Sequence, residues 1–409
     1  MIGRGALALM LFLYGSGDAC VSAEDGSELD FRVSELSAMA RHLRHAGDGL
    51  AMGASGAEAQ RRDTLSKIAE QLAAMDLQEL RRPESAAAML AVMLNGGPMQ
   101  TLVRVLEDDN WIEPDRDLAR ALLALRRGAP DEATMLLEKV PRNALSDAVR
   151  KPLALVEAKL YADREANLAL SRLQETRIDV PGTGLEEAVL RQEIIVLMKL
   201  GQTRRGGEIL ASYLRRYPRS AYWASFMPLL VKTISALEKI EARDFTEPAR
   251  TVNTLDGAER YCALMLRLSQ RALMAGEFQL AAELAEFVLA NEPARNGANH
   301  TAQLYRAVAG IAFEPAKDWL AALQGLDVSS YAPQEQQFIR VAIGVARDVL
   351  GGFGNSQGSL ARAPPPSSQA QHKFTDQDIA AASPLTTDLA SRAERALRSA
   401  QESLGEAKQ

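Results

Sequence analysis

The sequence predicts an all-α protein: a tetratricopeptide-like helical-repeat array followed by a linker-tethered C-terminal helix. Three observations carry that prediction. Ala and Leu dominate while aromatics are only 5%, a composition that favours helices over strands. Apolar residues recur three and four positions apart, as in Leu65, Ile68, Leu72 and Met75, and again in Leu118, Leu122 and Leu125. Strand signals, alternating Val, Ile, Thr and aromatic residues between tight turns, are missing.

Four segments are expected in chain order. Residues 1–23 read as an export signal: Arg4 supplies a positive start, "GALALMLFLYG" (5–15) is an apolar stretch too short to span a bilayer, and "VSA" (21–23) offers small residues for cleavage. The mature chain would then begin near Glu24, outside the cytoplasm, in the periplasm. An alternative leader reading lipidates Cys20, although the preceding "GDA" lacks the Leu that such a motif carries. With Cys20 removed, Cys262 has no partner for an internal disulfide, and its apolar setting, "YCALMLRL", predicts a buried thiol.

Residues 24–350 are expected to form the repeat domain. "GQTRRGGEILASYLRRYP" (201–218) and "GEFQLAAELAEFVLANEP" (276–293) have the same length and matching positions: Gly207 with Ala282, Glu208 with Glu283, Leu214 with Leu289. Looser copies run from Asp163 to Pro181 and from Gly128 to Pro141. The turn residues at 128, 163 and 201 are spaced close to the roughly 34-residue period of tetratricopeptide helix pairs. The gap between 201 and 276 is filled by "LLVKTISALEKIEARDFTEP", an irregular copy. A small residue reverses the chain, further small residues such as Gly207, Ala281 and Ala282 admit close helix approach, and Pro ends the unit. One pair cannot bury its apolar face alone, so neighbours stack into a curved array.

Past residue 350 the texture changes. Residues 351–384, opening "GGFGNSQGSLARAPPPSSQAQ", are rich in Gly, Ser, Pro and Gln and read as a flexible linker. Its glycines are no nucleotide loop, because no Lys-Ser/Thr pair follows them and Pro364, Pro365 and Pro366 stop any helix there. Residues 385–409 predict an amphipathic helix with Leu389, Ala393, Leu397, Ala400 and Leu404 on one side, fit to dock on the array or on a partner.

The chemistry of enzymes is sparse. The formal charge of −6 gives no electrostatic support to nucleic-acid binding. There are only four His and two Cys. His42 and His45 stand three apart in "RHLRH" without a companion carboxylate or thiol motif, which predicts a solvated face rather than a metal site. Glu186 and Glu187 stand where acidic side chains complement a helix dipole. No nucleophile elbow, zincin or phosphate-loop pattern occurs. The expectation is a non-enzymatic protein without cofactor, metal or small-molecule substrate. The cluster Arg215, Arg216, Tyr217, Tyr222, Trp223 and Phe226 is the candidate binding patch, since Arg and aromatics are enriched at binding hot spots. Within it, Arg215, Arg216, Tyr217 and Tyr222 are the contact candidates, whereas Trp223 and Phe226 are expected to fill the core.

The stretches "LAVMLNGGPMQTLVRVLE" (90–107), "DLARALLALRRGAPDEATMLLEKV" (117–140), "PGTGLEEAVLRQE" (181–193) and "YLRRYPRSAYWASF" (213–226) resemble, in order and spacing, the MotC family. The resemblance runs from about Phe31 to Pro293 and is most specific at 182–188 and 215–226. It implies an exported motility protein needed for flagellar motor rotation, acting with the periplasmic segment of the stator subunit MotB. It carries no catalytic residues with it. The alternative function is a periplasmic or lipid-anchored scaffold for envelope assembly or secretion. A cell-wall hydrolase, or an activator of one, is a weaker third.

Overall fold

The computed structural model describes residues 24–350 apart from 81, 108–114, 292–297 and 332. The expected leader (1–23), linker (351–384) and C-terminal helix (385–409) lie outside the described residues. Eighteen α-helices and no strands occur among the described residues. The first eight are α1 (Glu24–Met52), α2 (Ala57–Ala74), α3 (Leu77–Leu80), α4 (Pro83–Leu94), α5 (Gln100–Leu106), α6 (Asp115–Arg126), α7 (Pro130–Leu137) and α8 (Asp147–Tyr161). The central set is α9 (Ala166–Asp179), α10 (Gly184–Lys199), α11 (Thr203–Arg216), α12 (Trp223–Ile234) and α13 (Arg243–Ala249). The array continues with α14 (Leu255–Ala275), α15 (Phe278–Ala290), α16 (Ala298–Ala309), α17 (Ala316–Gln324) and α18 (Pro333–Leu350).

The repeat punctuation has a common local structure. Gly128, Gly201 and Gly276 have φ of 78°, 68° and 82°, the left-handed conformation that costs a residue without Cβ least. Each lets the next residue's N–H reach back over the helix end: Ala129 to the Ala124 carbonyl at 2.9 Å, Gln202 to Leu197 at 3.0 Å, and Glu277 to Ala272 at 2.8 Å. These bonds satisfy carbonyls that the end of a helix would leave open. At Asp163 the same reversal is made without glycine, by the Glu165 N–H on the Tyr161 carbonyl at 2.7 Å. Three of the four turns therefore share one mechanism, and the fourth is a different turn with the same consequence.

Each turn joins a packed pair: α6 with α7, α8 with α9, α10 with α11, and α14 with α15. Successive pairs then pack on each other, α9 on α10, α11 on α14, and α15 on α16. The apolar core follows this order as a strip. One cluster runs from Leu36 to Leu153, a second from Ala158 to Leu197, a third is centred on Leu190–Val288, and a fourth spans Ala272–Ala346. The expected irregular copy is α12 and the short α13, with Pro228 and Pro248 inside them.

The small residues separate into two roles. A Cβ on Gly206 would run into the Met198 side chain on the paired helix α10. Gly207, read from sequence as serving that same pairing, instead faces the Asp244 backbone carbonyl of α13. The adjacent glycines face two different neighbours, so α11 is held between α10 and α13.

Candidate partner-binding surface

The centre of the array is organised by two adjacent carboxylates. Thr183 caps α10 by accepting the Glu186 N–H on its hydroxyl at 3.2 Å, and Glu186 returns the favour one residue upstream, accepting the Gly182 N–H at 2.6 Å. Its other oxygen pairs with the Arg216 guanidinium from the end of α11. The Tyr217 hydroxyl donates to Glu186 at 2.7 Å and also lies 3.0 Å from the Thr183 carbonyl. Glu187 is fully buried, yet it accepts two bonds from Arg191 at 2.9 Å each, one from Tyr213 at 3.0 Å and one from Ser220 at 2.7 Å. Both groups are therefore more than dipole complements at a helix start. A buried carboxylate needs this density of donors to remain in place.

The donors are themselves shaped by the site. Burial, then the charge of Glu187, raises the Tyr213 phenol above its ordinary value. Burial, then the bond to Glu186, does the same for Tyr217. Both tyrosines thus remain neutral donors. Around them the Tyr213 ring meets Phe226 edge-on at 5.7 Å, and Trp223 meets Phe226 at 6.1 Å. Trp223 and Phe226 are buried, as core residues.

Over this node lies the surface that the sequence nominated. Arg215 is exposed on the last turn of α11. Tyr222 is half-buried with the Arg191 guanidinium over its ring at 4.7 Å. Arg216 and Tyr217 stand beside them in sequence but are committed inward, Arg216 to Glu186 and Tyr217 with only 1% of its surface exposed. Arg216 is itself exposed, while the carboxylate it pairs with is 1% exposed.

Folding adds neighbours from far along the chain. The Ala221 N–H bonds the Leu50 carbonyl at the end of α1 at 3.0 Å, and Gly53 sits against the Arg219 backbone. Arg219 in turn pairs with Asp256 at the start of α14. Met52 and Leu255, half exposed at 50% and 48%, are the chain neighbours of Gly53 and Asp256, the residues that meet Arg219. Neither was visible in the local sequence, where each is an ordinary apolar position at a helix end.

Other chemistry does not assemble. Among the described residues no group of His, Cys, Asp and Glu is arranged to hold a metal ion. His42, His45 and His300 are exposed, and Cys262 is buried. No helix among the described residues is long and apolar enough to cross a membrane.

The family model of chemotaxis protein MotC matches residues 5–409, nearly the whole chain. The chain belongs to the MotC family. A curated relative, the chemotaxis protein MotC of Rhizobium meliloti (strain 1021), is 26% identical over 318 residues, covering 76% of this chain and 71% of that protein. No solved structure matches. Membership in this family of motility proteins supports a role in motility and chemotaxis.

Proposed function

We propose that this protein is a non-enzymatic periplasmic component required for flagellar motor rotation. In this reading it is exported by a cleaved leader and binds and orients the periplasmic part of the MotB stator subunit. The observation that carries the reading is the family match across residues 5–409. A stacked helical array supports it physically, since such arrays present extended surfaces to other proteins.

The proposed contact surface is Arg215, Arg219 and Tyr222 with Met52 and Leu255. It combines exposed cations, an aromatic ring and apolar side chains, the composition of binding hot spots. Exposed Arg216 and buried Tyr217 support it by fixing the end of α11 on Glu186. Trp223 and Phe226 hold the underlying core.

The test has a cellular and a purified arm. Deleting the gene should leave filaments assembled but paralysed or poorly rotating; normal swimming, or absent filaments, would overturn the motor role. Purified protein should bind the MotB periplasmic segment, and Arg215→Glu combined with Met52→Asp should weaken binding by roughly tenfold or more. Unaltered affinity would remove this surface while leaving the family role intact.

A further inference from the structure

An open groove of about 790 Å³ lies between the loop at 238–243 and the α14–α15 turn, with Ala312 also in its lining. Its apolar lining comes from Ile240, Phe278 and Leu280. Lys239 and Arg243, the two cations there, are both drawn onto Glu241, at 2.8 Å and 2.5 Å. Glu238, Glu277 and Glu283 remain around the groove, all exposed. Glu283 accepts a bond from the Gln279 amide at 2.9 Å. The groove is thus apolar within and anionic at its margin.

We propose that the occupant of this groove is the chain's own C-terminal stretch, residues 389–404. That stretch has the complementary composition: Leu389, Leu397 and Leu404 are apolar, and Arg392, Arg395 and Arg398 outnumber Glu394 and Glu402. The point of departure favours it too. The tail leaves from α18, which packs on α16 and α17, and Ala312 lies between those two helices. The intervening residues 351–384 have the Gly-, Ser- and Pro-rich composition of a tether, for which a reach of about 30 Å is expected. A tethered segment is present at millimolar effective concentration, so modest complementarity suffices. This assignment is independent of the MotB reading.

The test uses the intact chain with point substitutions only, followed by amide hydrogen exchange. Replacing Arg392, Arg395 and Arg398 together with Glu should speed exchange in 238–243 and 276–280 roughly fivefold or more, because the charges then repel. Exchange across α10 should not change. Adding Glu238→Lys, Glu277→Lys and Glu283→Lys to the same chain should restore protection by reversing the groove's sign. Protection that is indifferent to the arginine changes overturns the proposal, as does failed restoration or faster exchange that extends to α10. Protection that depends on protein concentration also overturns it, by assigning the groove to a second copy.

Discussion

Glu187 shows how much a single residue is asked to do. It is fully buried, and its two oxygens take four donated bonds from Arg191, Tyr213 and Ser220. Glu187→Ala would leave the two donor hydroxyls and the Arg191 cation unmatched, at an expected cost of about 3 kcal/mol in urea unfolding. Tyr213→Phe should cost only about 1 kcal/mol, because one donor is lost while the ring packing stays. Equal losses from both would mean that the carboxylate is not the hub. The tyrosines add a pH dependence. Burial raises the Tyr213, Tyr217 and Tyr261 phenols above the ordinary 10.0, so the unfolded chain ionises first. The stability they contribute is full below pH 10.0 and is lost as pH climbs from there toward the raised folded values. Alkaline denaturation followed by phenolate absorbance should show these three ionising together with unfolding; their ionisation before unfolding would contradict it. Burial also pushes the Cys262 thiol up, so a thiol reagent should label it only after denaturation.

Among the elements, Gly207 in α11 and Gly128 after α6 separate two reasons for glycine. Gly128 has φ of 78° with open space around its missing side chain. Gly128→Ala should therefore cost about 1 kcal/mol, from the backbone alone. Gly207 is helical, but its missing Cβ would meet the Asp244 carbonyl. Gly207→Ala should push α13 from α11 and cost about 1–3 kcal/mol despite the better helix propensity of Ala. A stabilised Gly207→Ala, read by thermal unfolding, would show that the contact is slack. The comparison also marks what was legible. Glycine turns and proline stops are local signals, so the helix pairs at 128, 201 and 276 could be read directly. Which neighbour Gly207 faces is set by α13, an irregular insertion, and no local pattern encodes that. The surface followed the same division. Arg215 and Tyr222 could be named from a local cluster, whereas the Arg216 commitment to Glu186 and the arrival of Met52 and Leu255 depend on helices packed far apart in the chain.

At the scale of the whole molecule, the question is what makes a stacked array behave as one body. Neighbour-only stacking lets repeats unfold in parts, yet α1 spans from the first core cluster to the centre of the array. It packs on α2, α4 and α10. The Asp48 carboxylate accepts the Gly184 N–H at 2.6 Å, capping α10 with a negative charge at its positive end. Gly184 permits the approach, since a Cβ there would lie 2.8 Å from the Gly47 carbonyl. Two residues after Asp48, the Leu50 carbonyl takes the Ala221 N–H, and Gly53, with φ of 68°, fits against Arg219. Three contacts within six residues thus latch the N-terminal layer to the repeat that carries the proposed surface. Asp48→Ala alone should cost about 1–2 kcal/mol, the value of a charged cap. Combined with Gly53→Val, which forces a β-branched side chain into a left-handed conformation against Arg219, it should open the latch. Calorimetry of the unaltered protein should give one cooperative transition. The double variant should give two, the earlier belonging to the layer around α1, α2 and α4. A single transition that merely shifts downward would mean that continuity of the core, rather than the latch, couples the halves.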